Sequence, residues 1–262
     1  MKRLIRLEFN KLRGYRAFWI LFILYFAGLA LTVGAFNGIL NSFISEQAGS
    51  LTRVGWTSWN LNAFPDSWHY LTYLGGLFHY ILMVIIIILI CNEFNYKTVR
   101  QNIIDGMSRG EWLLGKFLSM VTIALMSTLL VFFIIVILGF LAPAIPGDDE
   151  VFGKFIYIPA YFIQLLGYLS FAFLLGMLIR RTGIAIGLTF IYALPLENVL
   201  EYYLPESIEG FLPLESMNRM ISFPFDFDLT MPEFEPQYML ISVVWIGILI
   251  GSAYLYLKRR DL

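Results

Sequence analysis

Long uncharged apolar blocks alternate with shorter polar segments along most of this chain. The apolar residues are grouped, rather than spaced at the period of a helix or strand that is half-buried in a soluble core. A helix needs about 20 predominantly apolar residues to cross the roughly 30 Å of hydrocarbon in a bilayer. The pattern therefore predicts six membrane crossings. They are Ala17–Leu40, Tyr70–Cys91, Leu113–Leu141, Phe155–Ile179, Gly183–Leu196 and Tyr238–Leu257.

The composition favours the same class of protein. Hydrophobic residues make up 59% of the 262 residues, whereas soluble proteins contain roughly 45–50%. No cleavable export signal is evident, because the basic N-terminus runs into a long apolar segment without a small-residue cleavage site. We therefore expect an all-α, polytopic membrane protein with a single transmembrane domain over residues 1–262 that keeps its first helix.

Lysine and arginine are distributed unevenly between the predicted loops. Fifteen of the 18 basic residues fall at the chain ends and in alternate loops, whereas the other loops contain 14 of the 19 acidic residues. Basic loops are retained in the cytoplasm during membrane insertion. The sequence therefore predicts a protein of the cell (inner or plasma) membrane with both termini in the cytoplasm. The basic residues on the other side are Arg53, Lys154 and Arg219.

The fifth apolar segment decides the number of crossings. It has only 14 residues before Glu197, so a re-entrant loop is an alternative to a span. Because both chain ends are basic, an even number of crossings is expected, which favours six over five. We therefore expect this segment to span with the help of Leu200, Tyr202 and Tyr203.

Two further segments are expected at the membrane interfaces. Residues 1–16 place apolar and basic side chains on different arcs of a helix, which predicts an interfacial amphipathic helix. Its expected role is anchoring, and the alternative is a lever that contacts a cytoplasmic partner. Residues 197–236 combine acids and prolines with bulky apolar side chains, so we expect short external re-entrant helices before the last span.

The polar segment 92–112 predicts a helix, a break and a second helix. Residues Tyr96–Ile104 can form a short helix with one apolar side. That side consists of Val99, Ile103 and Ile104. The pair Asp105-Gly106 is typical of a turn.

A capping box is predicted where the second helix begins. Ser108 and Glu111 have the spacing at which the serine hydroxyl accepts a bond from the third helical amide and the glutamate reaches back to the serine amide. The helix that contains the third span is therefore expected to begin near Arg109.

The run EFNYKTVR, followed by MSRGEWLLGKF, resembles the segment after the second span in type 2 ATP-binding-cassette (ABC) transporter permeases. In that family the segment contains the coupling helix, which docks on the ATPase. The resemblance extends to the basic N-terminal helix, the six-span plan and the apolar external segment. It departs at Lys97, where the family commonly has glycine, and at Met107, where proline is common. The ATPase-coupling residues that it implies are Glu93, Tyr96, Lys97, Thr98, Arg100, Ser108, Arg109 and Lys116.

The resemblance implies that ATP and magnesium bind to a separate cytoplasmic ATPase subunit. One run in this chain, residues 110–116, has the GxxxxGK spacing of a phosphate-binding loop. It lacks the serine or threonine that would hold magnesium, because Phe117 follows the lysine, and no strand precedes it. We therefore expect no bound cofactor and no enzymatic activity in this chain.

Polar side chains are scarce and scattered in the predicted spans. The main ones are Asn37, His79, Gln164 and Glu197. Proton-coupled and sodium-coupled carriers normally need buried carboxylates or paired broken helices, and an intramembrane hydrolase needs convergent ligands. His69 and His79 lack the spacing of metal ligands, so we expect no metal site.

Three Gly-x-x-x-Gly motifs place small residues one helical turn apart, which permits close approach of helices. They can pack spans within one subunit or between two subunits, and packing within the subunit is expected. The glycines are Gly34, Gly38, Gly183, Gly187, Gly247 and Gly251.

The resemblance implies a permease subunit of an ATP-driven transporter, in which two identical or similar permeases join two ATPase subunits in the lipid bilayer. The apolar spans favour export of a hydrophobic or amphipathic cargo. A mechanotransmitting membrane anchor, which drives an extracytoplasmic protein without passing a cargo, is the alternative. A third hypothesis is a channel or carrier that works without an ATPase. We expect no nucleic-acid partner.

Overall fold

The structure is a computed structural model that describes residues 11, 14–51, 62–142, 151–205, 208, 210–224 and 234–259. Within these ranges the chain forms helices joined by turns and contains no β-strand, so the all-α prediction is confirmed. Most of the predicted interfacial helix at 1–16 lies outside the described residues, apart from positions 11 and 14–16.

The helices of the described residues are numbered here in chain order. They are α1 (Arg16–Leu51), α2 (Ser67–Gly76), α3 (His79–Asn95), α4 (Thr98–Ile104), α5 (Arg109–Leu141), α6 (Tyr157–Ile179), α7 (Thr182–Ile191), α8 (Glu197–Tyr203), α9 (Glu215–Asn218) and α10 (Pro236–Arg259). A π-helical turn, Tyr192–Leu196, joins α7 to α8, and a 3-10 turn, Arg219–Ile221, follows α9.

Five helical segments in the described part of the chain are long and apolar enough to cross a membrane, with mean hydropathies from 1.5 to 2.9. They are Arg16–Ala35, Arg109–Leu141, Tyr157–Ile179, Thr182–Tyr203 and Pro236–Arg259. The pair α2 and α3 is a sixth if the two helices are counted as one bent span. These lengths and compositions are those of a polytopic membrane protein.

The second predicted span, Tyr70–Cys91, is not one straight helix. Its axis bends by 42° between α2 and α3. Gly75 and Gly76 end α2, and glycine is a weak helix former. The amides of Leu77 and Phe78 each donate to a carbonyl oxygen three residues back at 3.2 Å, so the chain tightens before α3 begins.

Close contacts with two neighbouring helices hold this bend in place. The Phe78 ring lies against Gly28 of α1, where a Cβ atom would come within 2.6 Å of the ring. Tyr161 of α6 lies against Gly75, where a Cβ atom would come within 3.0 Å of the hydroxyl oxygen. The Tyr161 and Tyr25 hydroxyl oxygens are hydrogen-bonded at 2.6 Å. The bend therefore depends on one glycine in α1, Gly28, and on one in α2 itself, Gly75.

The fifth predicted span is longer than its apolar run. Helical structure continues for 22 residues from Thr182 to Tyr203, which corresponds to about 33 Å at the rise of an α-helix. Pro195 lacks an amide hydrogen, and the π-helical turn accommodates it. The helix therefore extends through Leu200 and Tyr202 and reaches the length of a span.

Helix α6 is the centre of the bundle. The most apolar stretch of α6 is 67% buried inside the protein, whereas the corresponding stretches of the other long helices are 22–33% buried. It packs against α2, α3, α5 and α10. Large apolar side chains such as Leu31, Phe133 and Leu240 remain exposed on the peripheral helices. Those outer faces suit lipid or another apolar partner.

The segment before the last span contains the short helices that the sequence predicts. Helix α9 and its neighbours bury four apolar side chains. These are Leu214, Met217, Met220 and Ile221. The Met217 side chain lies on Gly167 of α6, where a Cβ atom would collide with the sulfur. The described part of this segment is therefore packed into the bundle, and residues 225–233 lie outside the described ranges.

Among the described residues, the Gly-x-x-x-Gly motifs do not bring one span close to another. A Cβ atom at any of their six glycines would meet no described atom within 4 Å. All six are exposed, on the outer sides of α1, α7 and α10. The prediction of internal packing is therefore wrong for the described structure, in which other glycines, such as Gly28 and Gly75, mediate the close contacts.

Candidate functional site

Most of the described basic residues lie at one end of the bundle, which we call the basic face. They are Lys11, Arg16, Lys97, Arg100, Arg109, Lys116, Arg180, Arg181, Lys258 and Arg259. Direct contacts bring these helix ends together. Arg109, at the start of α5, donates to the carbonyl oxygens of Leu257 at 3.0 Å and Lys258 at 2.7 Å in α10. Asn92, near the end of α3, donates to the Tyr15 hydroxyl oxygen at 2.5 Å.

Glu93 is the centre of a polar network at this face. Its Oε1 atom accepts hydrogen bonds from the Lys116 ammonium at 2.5 Å and the Lys11 ammonium at 3.1 Å. Its Oε2 atom accepts one from the Trp112 indole at 3.0 Å. The Glu93 and Lys116 side chains are 13% and 6% exposed, and charges this buried need a partner. Glu93 therefore joins α3 to α5 and to the segment before α1.

Trp112 connects this network to the apolar core. It is almost fully buried, and its ring lies edge-on to Phe94 at a centroid distance of 6.0 Å. It also contacts Phe173 of α6 at 6.3 Å. The Lys116 ammonium lies 5.8 Å from the centre of the Trp112 ring, within reach of a cation–π interaction. The ion pair is thus supported by packing against the central helix.

A tight turn at Lys97 leads from the network into α4. Lys97 has φ 56° and ψ 20°, the left-handed conformation that glycine adopts most readily. The Thr98 hydroxyl donates to the Glu93 carbonyl oxygen at 3.1 Å and closes the turn. Lysine at this position therefore keeps the backbone shape that glycine favours, at a cost of about 1–2 kcal/mol.

Helix α4 begins at Thr98 rather than at the predicted Tyr96, because the left-handed residue precedes it. Val99 is 1% exposed and Ile103 packs on the same side, one helical turn later. Ile104 is 73% exposed, so its predicted place on the buried side is wrong. It follows Val99 by five positions and therefore faces away.

The exposed side of this loop is called the α4 surface. It consists of Tyr96, Lys97, Arg100, Gln101 and Ile104. Tyr96 is 76% exposed, so an aromatic ring and an aliphatic side chain stand beside two basic groups. Aromatic and arginine side chains are enriched where proteins bind one another.

The capping box at the start of α5 forms as predicted. The Glu111 amide donates to the Ser108 hydroxyl oxygen at 3.1 Å, and the Ser108 amide donates to a Glu111 carboxylate oxygen at 2.8 Å. The helix begins at Arg109, which confirms that prediction. The Met107 amide donates to the Asn102 carbonyl oxygen at 3.0 Å, a bond that proline could not form.

The eight residues predicted for the site fall into two groups. Those that form hydrogen bonds within the loop or to the bundle are Glu93, Thr98, Ser108, Arg109 and Lys116. Those exposed on the α4 surface are Tyr96, Lys97 and Arg100. The first group positions the loop, and the second is accessible to a partner.

Sequence reasoning misses three residues of the basic face: Lys11, Trp112 and Arg180. Arg180 has φ 57° and ends α6. Its guanidinium lies 4.4 Å from the Phe94 ring centre and 5.7 Å from that of Tyr256. The count of basic residues places Lys11 and Arg180 at this face, but only the tertiary structure shows which rings and carboxylates they contact.

Residues 52–262 match the model of a protein family described as a protein of unknown function, DUF2705. This chain belongs to that family. The DUF2705 match covers all helices from α2 to α10, and hence the α4 surface. Lys11 and Tyr15, which contact Glu93 and Asn92 at the basic face, precede the matched residues. A search among curated proteins finds no match.

A second group of polar side chains in this DUF2705 protein converges where the second span bends. They line a cavity of about 390 Å³. The polar lining includes His79, Gln164, Glu215, Asn218, Arg219 and Ser222. The prediction that polar residues of the spans are scattered is therefore wrong for His79 and Gln164, because the bend places the start of α3 beside α6. The side chain of Asn37 lies outside the described residues.

Charged residues beside the cavity bind one another. Arg219 donates to carboxylate oxygens of Glu215 at 2.7 Å and Glu201 at 3.1 Å. Burial raises the pKa of Glu215 above its ordinary value, and the bond from Arg219 opposes this shift. Glu197 accepts bonds from the amides of Leu214 at 2.8 Å and Glu215 at 3.2 Å, which ties α9 to α8. No group of three potential metal ligands occurs among the residues that the structure describes.

Proposed function

We propose that this chain is the membrane-spanning permease subunit of an ATP-driven transporter of the type 2 ABC class, coupled to a separate cytoplasmic ATPase. The α4 surface is the observation that carries the proposal. It exposes Tyr96, Arg100 and Ile104, yet its base is fixed by the buried Glu93–Lys116 pair. A surface that is both accessible and firmly attached is suited to receive force from a partner.

In this proposal the basic face is cytoplasmic and the bent pair α2 and α3 is one of six spans. Among the described basic residues, only Lys154 and Arg219 lie at the other end. Each is ion-paired there, Lys154 with Asp66 at 2.7 Å and Arg219 with Glu215 at 2.7 Å. This asymmetry supports cytoplasmic termini, because lysine and arginine are retained in excess on the cytoplasmic side of the cell membrane.

The network at the basic face offers a path from α4 to the spans. A displacement of α4 would act on α3 through the turn at Lys97 and on α5 through the Glu93–Lys116 pair. Helix α3 leads to the bend at Leu77 and Phe78, and α6 packs on both α3 and α5. Closure of a pair of ATPase subunits on ATP would then switch the bundle between two packings.

ATP and magnesium bind to the partner subunit in this proposal, and this chain is not itself the enzyme. The run 110–116, which has the spacing of a phosphate-binding loop, lies inside helix α5. Its lysine, Lys116, is engaged by Glu93 at the basic face. A phosphate-binding loop instead needs backbone amides that are free to surround a phosphate. These features support placing hydrolysis in another polypeptide.

A second permease copy, identical or similar, completes the proposed transporter in the lipid bilayer. At the motif glycines of α7 and α10, an added Cβ atom would meet no described atom within 4 Å. Another subunit could therefore approach these helices closely. The exposed apolar faces of the peripheral helices support a hydrophobic or amphipathic cargo, and export is the direction that we propose.

Copurification tests this function. Proteins recovered with the detergent-extracted chain are identified by mass spectrometry, and a nucleotide-binding ATPase is expected among them. Arg100→Glu should reduce its recovery at least tenfold while membrane insertion is unchanged, because it reverses a charge on the α4 surface. Arg181→Glu is the matched control, because Arg181 is exposed on the basic face outside α4. Equal recovery with both variants, or no ATPase with the wild-type chain, would contradict the proposal.

A mechanotransmitting anchor that drives an extracytoplasmic protein is the second candidate. The observation in its favour is a group of exposed aromatic side chains around the segment between α8 and α10. They are Tyr202, Tyr203, Phe211 and Phe223. Such a patch suits a protein partner. A stable external protein that stimulates the ATPase without any cargo would favour this candidate.

A carrier without an ATPase is the third candidate, and the bent second span supports it, because broken helices line the sites of many such carriers. Failure to recover any ATPase in the copurification would favour it.

A further inference from the structure

The cavity at the bend of the second span has the position and size of a ligand site. Its walls come from the bend itself, from α6, and from α9 with the 3-10 turn that follows. Its volume of about 390 Å³ falls in the range of roughly 300–1,000 Å³ that small-molecule sites occupy.

Buried polar atoms with no hydrogen-bond partner among the described residues belong to the lining of this cavity. They are the Oε1 atom of Gln164 and one ring nitrogen of His79, whose other ring nitrogen faces the Gly76 carbonyl oxygen. His79 is 5% exposed and Gln164 is 4% exposed. The imidazole contacts the rings of Tyr80 and Tyr168, at centroid distances of 4.1 and 3.6 Å. Buried polar groups in folded proteins are normally paired, so these atoms call for a partner from outside the chain.

The hydrogen-bonding capacity of these atoms indicates what that partner is. A neutral imidazole whose N–H faces the Gly76 carbonyl offers its other nitrogen as an acceptor, and Gln164 Oε1 is a second acceptor. A hydroxyl group donates a hydrogen bond without carrying a charge, so two hydroxyls on one ligand would satisfy both atoms. The charged lining residues, Arg219 and Glu215, are paired at 2.7 Å and leave little net charge for an ion.

Aromatic side chains provide the apolar part of the cavity wall. The lining rings are those of Tyr73, Tyr80 and Phe223, and Tyr73 and Phe223 contact each other edge to face at 5.4 Å. Such rings can cover the carbon-bound hydrogens of a ligand whose hydroxyls face His79 and Gln164. We propose that this cavity binds an uncharged, hydroxyl-rich group such as a sugar, from a free saccharide or from the headgroup of a glycolipid.

Binding to the full-length chain tests the proposal. The chain is purified in a detergent whose headgroup is not a sugar and is then reconstituted in phosphatidylcholine nanodiscs. Two probes distinguish the two sources of the sugar. Binding of maltose from solution is measured by calorimetry, and retention of monoglucosyl diacylglycerol in the disc is measured by native mass spectrometry. At least one probe should bind. Gln164→Leu and His79→Phe should each weaken that binding about tenfold, because each leaves a ligand group unpaired.

A matched variant and the melting temperature make the test specific. Gln237→Leu should bind like the wild type, because Gln237 is exposed at the start of α10, away from the cavity lining. Gln164→Leu should keep or raise the melting temperature, because it replaces an unpartnered polar group with an apolar one of similar size. Three results would overturn the proposal: no binding of either probe, equal binding by all variants, or a lower melting temperature of Gln164→Leu. No ATPase is present in the assay, so its outcome is independent of the proposed coupling.

Discussion

The Lys116 ammonium and the Glu93 carboxylate form a buried ion pair across 23 sequence positions, with 2.5 Å between Nζ and Oε1. Glu93 comes from the last turns of α3, and Lys116 from the early turns of α5. The loop that contains α4 lies between them, so the pair closes this loop at its base. Helix α4 is thereby held in a fixed position on the bundle.

Removing one partner of this pair should destabilise the protein. Glu93→Leu leaves the Lys116 ammonium buried without its carboxylate, which should lower the free energy of unfolding by about 3 kcal/mol. The double variant Glu93→Leu, Lys116→Met replaces both charges with apolar groups and should recover most of that loss. Thermal unfolding in detergent micelles measures both effects. A double variant that is no more stable than the Glu93→Leu single variant would contradict the assigned pairing.

The left-handed turn at Lys97 leads to an unusual expectation for a glycine substitution. Lys97→Gly should raise the free energy of unfolding by up to about 1 kcal/mol, because glycine adopts this conformation without strain. Arg100→Gly, three positions later inside α4, should lower it by about 1 kcal/mol. The melting temperatures of the two variants therefore should move in opposite directions, and a decrease in both would refute the turn geometry.

The bend of the second span is expected to be sensitive to one glycine of α1. Gly28→Ala places a Cβ atom within 2.6 Å of the Phe78 ring, so we expect a loss of about 1–3 kcal/mol in the free energy of unfolding. Gly34→Ala on the same helix meets no described atom within 4 Å, and should be neutral or stabilising. The difference between their melting temperatures isolates the contact with Phe78. No difference would show that the ring does not lie there.

Much of the fold follows from local patterns in the sequence. Apolar runs locate the spans, because crossing a bilayer requires length and apolarity. The Ser108 and Glu111 spacing predicts that α5 begins near Arg109, where it does begin, because a capping box depends on four consecutive positions. Charge asymmetry predicts which helix ends share the basic face, where Arg109 contacts Leu257.

Features that depend on contacts between distant segments could not be predicted in this way. The loop resemblance selects Glu93 and Lys116, but not Lys11, which reaches Glu93 from 82 positions away. His79 and Gln164 look isolated in the sequence, because only the bend after Gly76 brings them to one cavity. Glycine spacing was a poor guide to packing, since helix rotation decides which face meets a neighbour.

Orientation in the membrane can be measured with single cysteines. Cys91 is buried and is first changed by Cys91→Ala. Tyr202→Cys should react with a membrane-impermeant maleimide in intact cells, because Tyr202 is 84% exposed at the end opposite the basic face. Arg100→Cys should react only after the membrane is permeabilised. Labelling of Arg100→Cys in intact cells would reverse the proposed topology.

Photo-crosslinking in living cells tests the central claim, that the α4 surface binds an ATPase, most directly. Benzoylphenylalanine is introduced at Tyr96, which is 76% exposed on that surface, and at Tyr202 as the matched aromatic control. Mass spectrometry then identifies the captured proteins. The account predicts that position 96 captures a nucleotide-binding ATPase subunit and that position 202 does not. Capture of the ATPase at position 202 alone, or at neither position in cells that contain the intact chain, would contradict it.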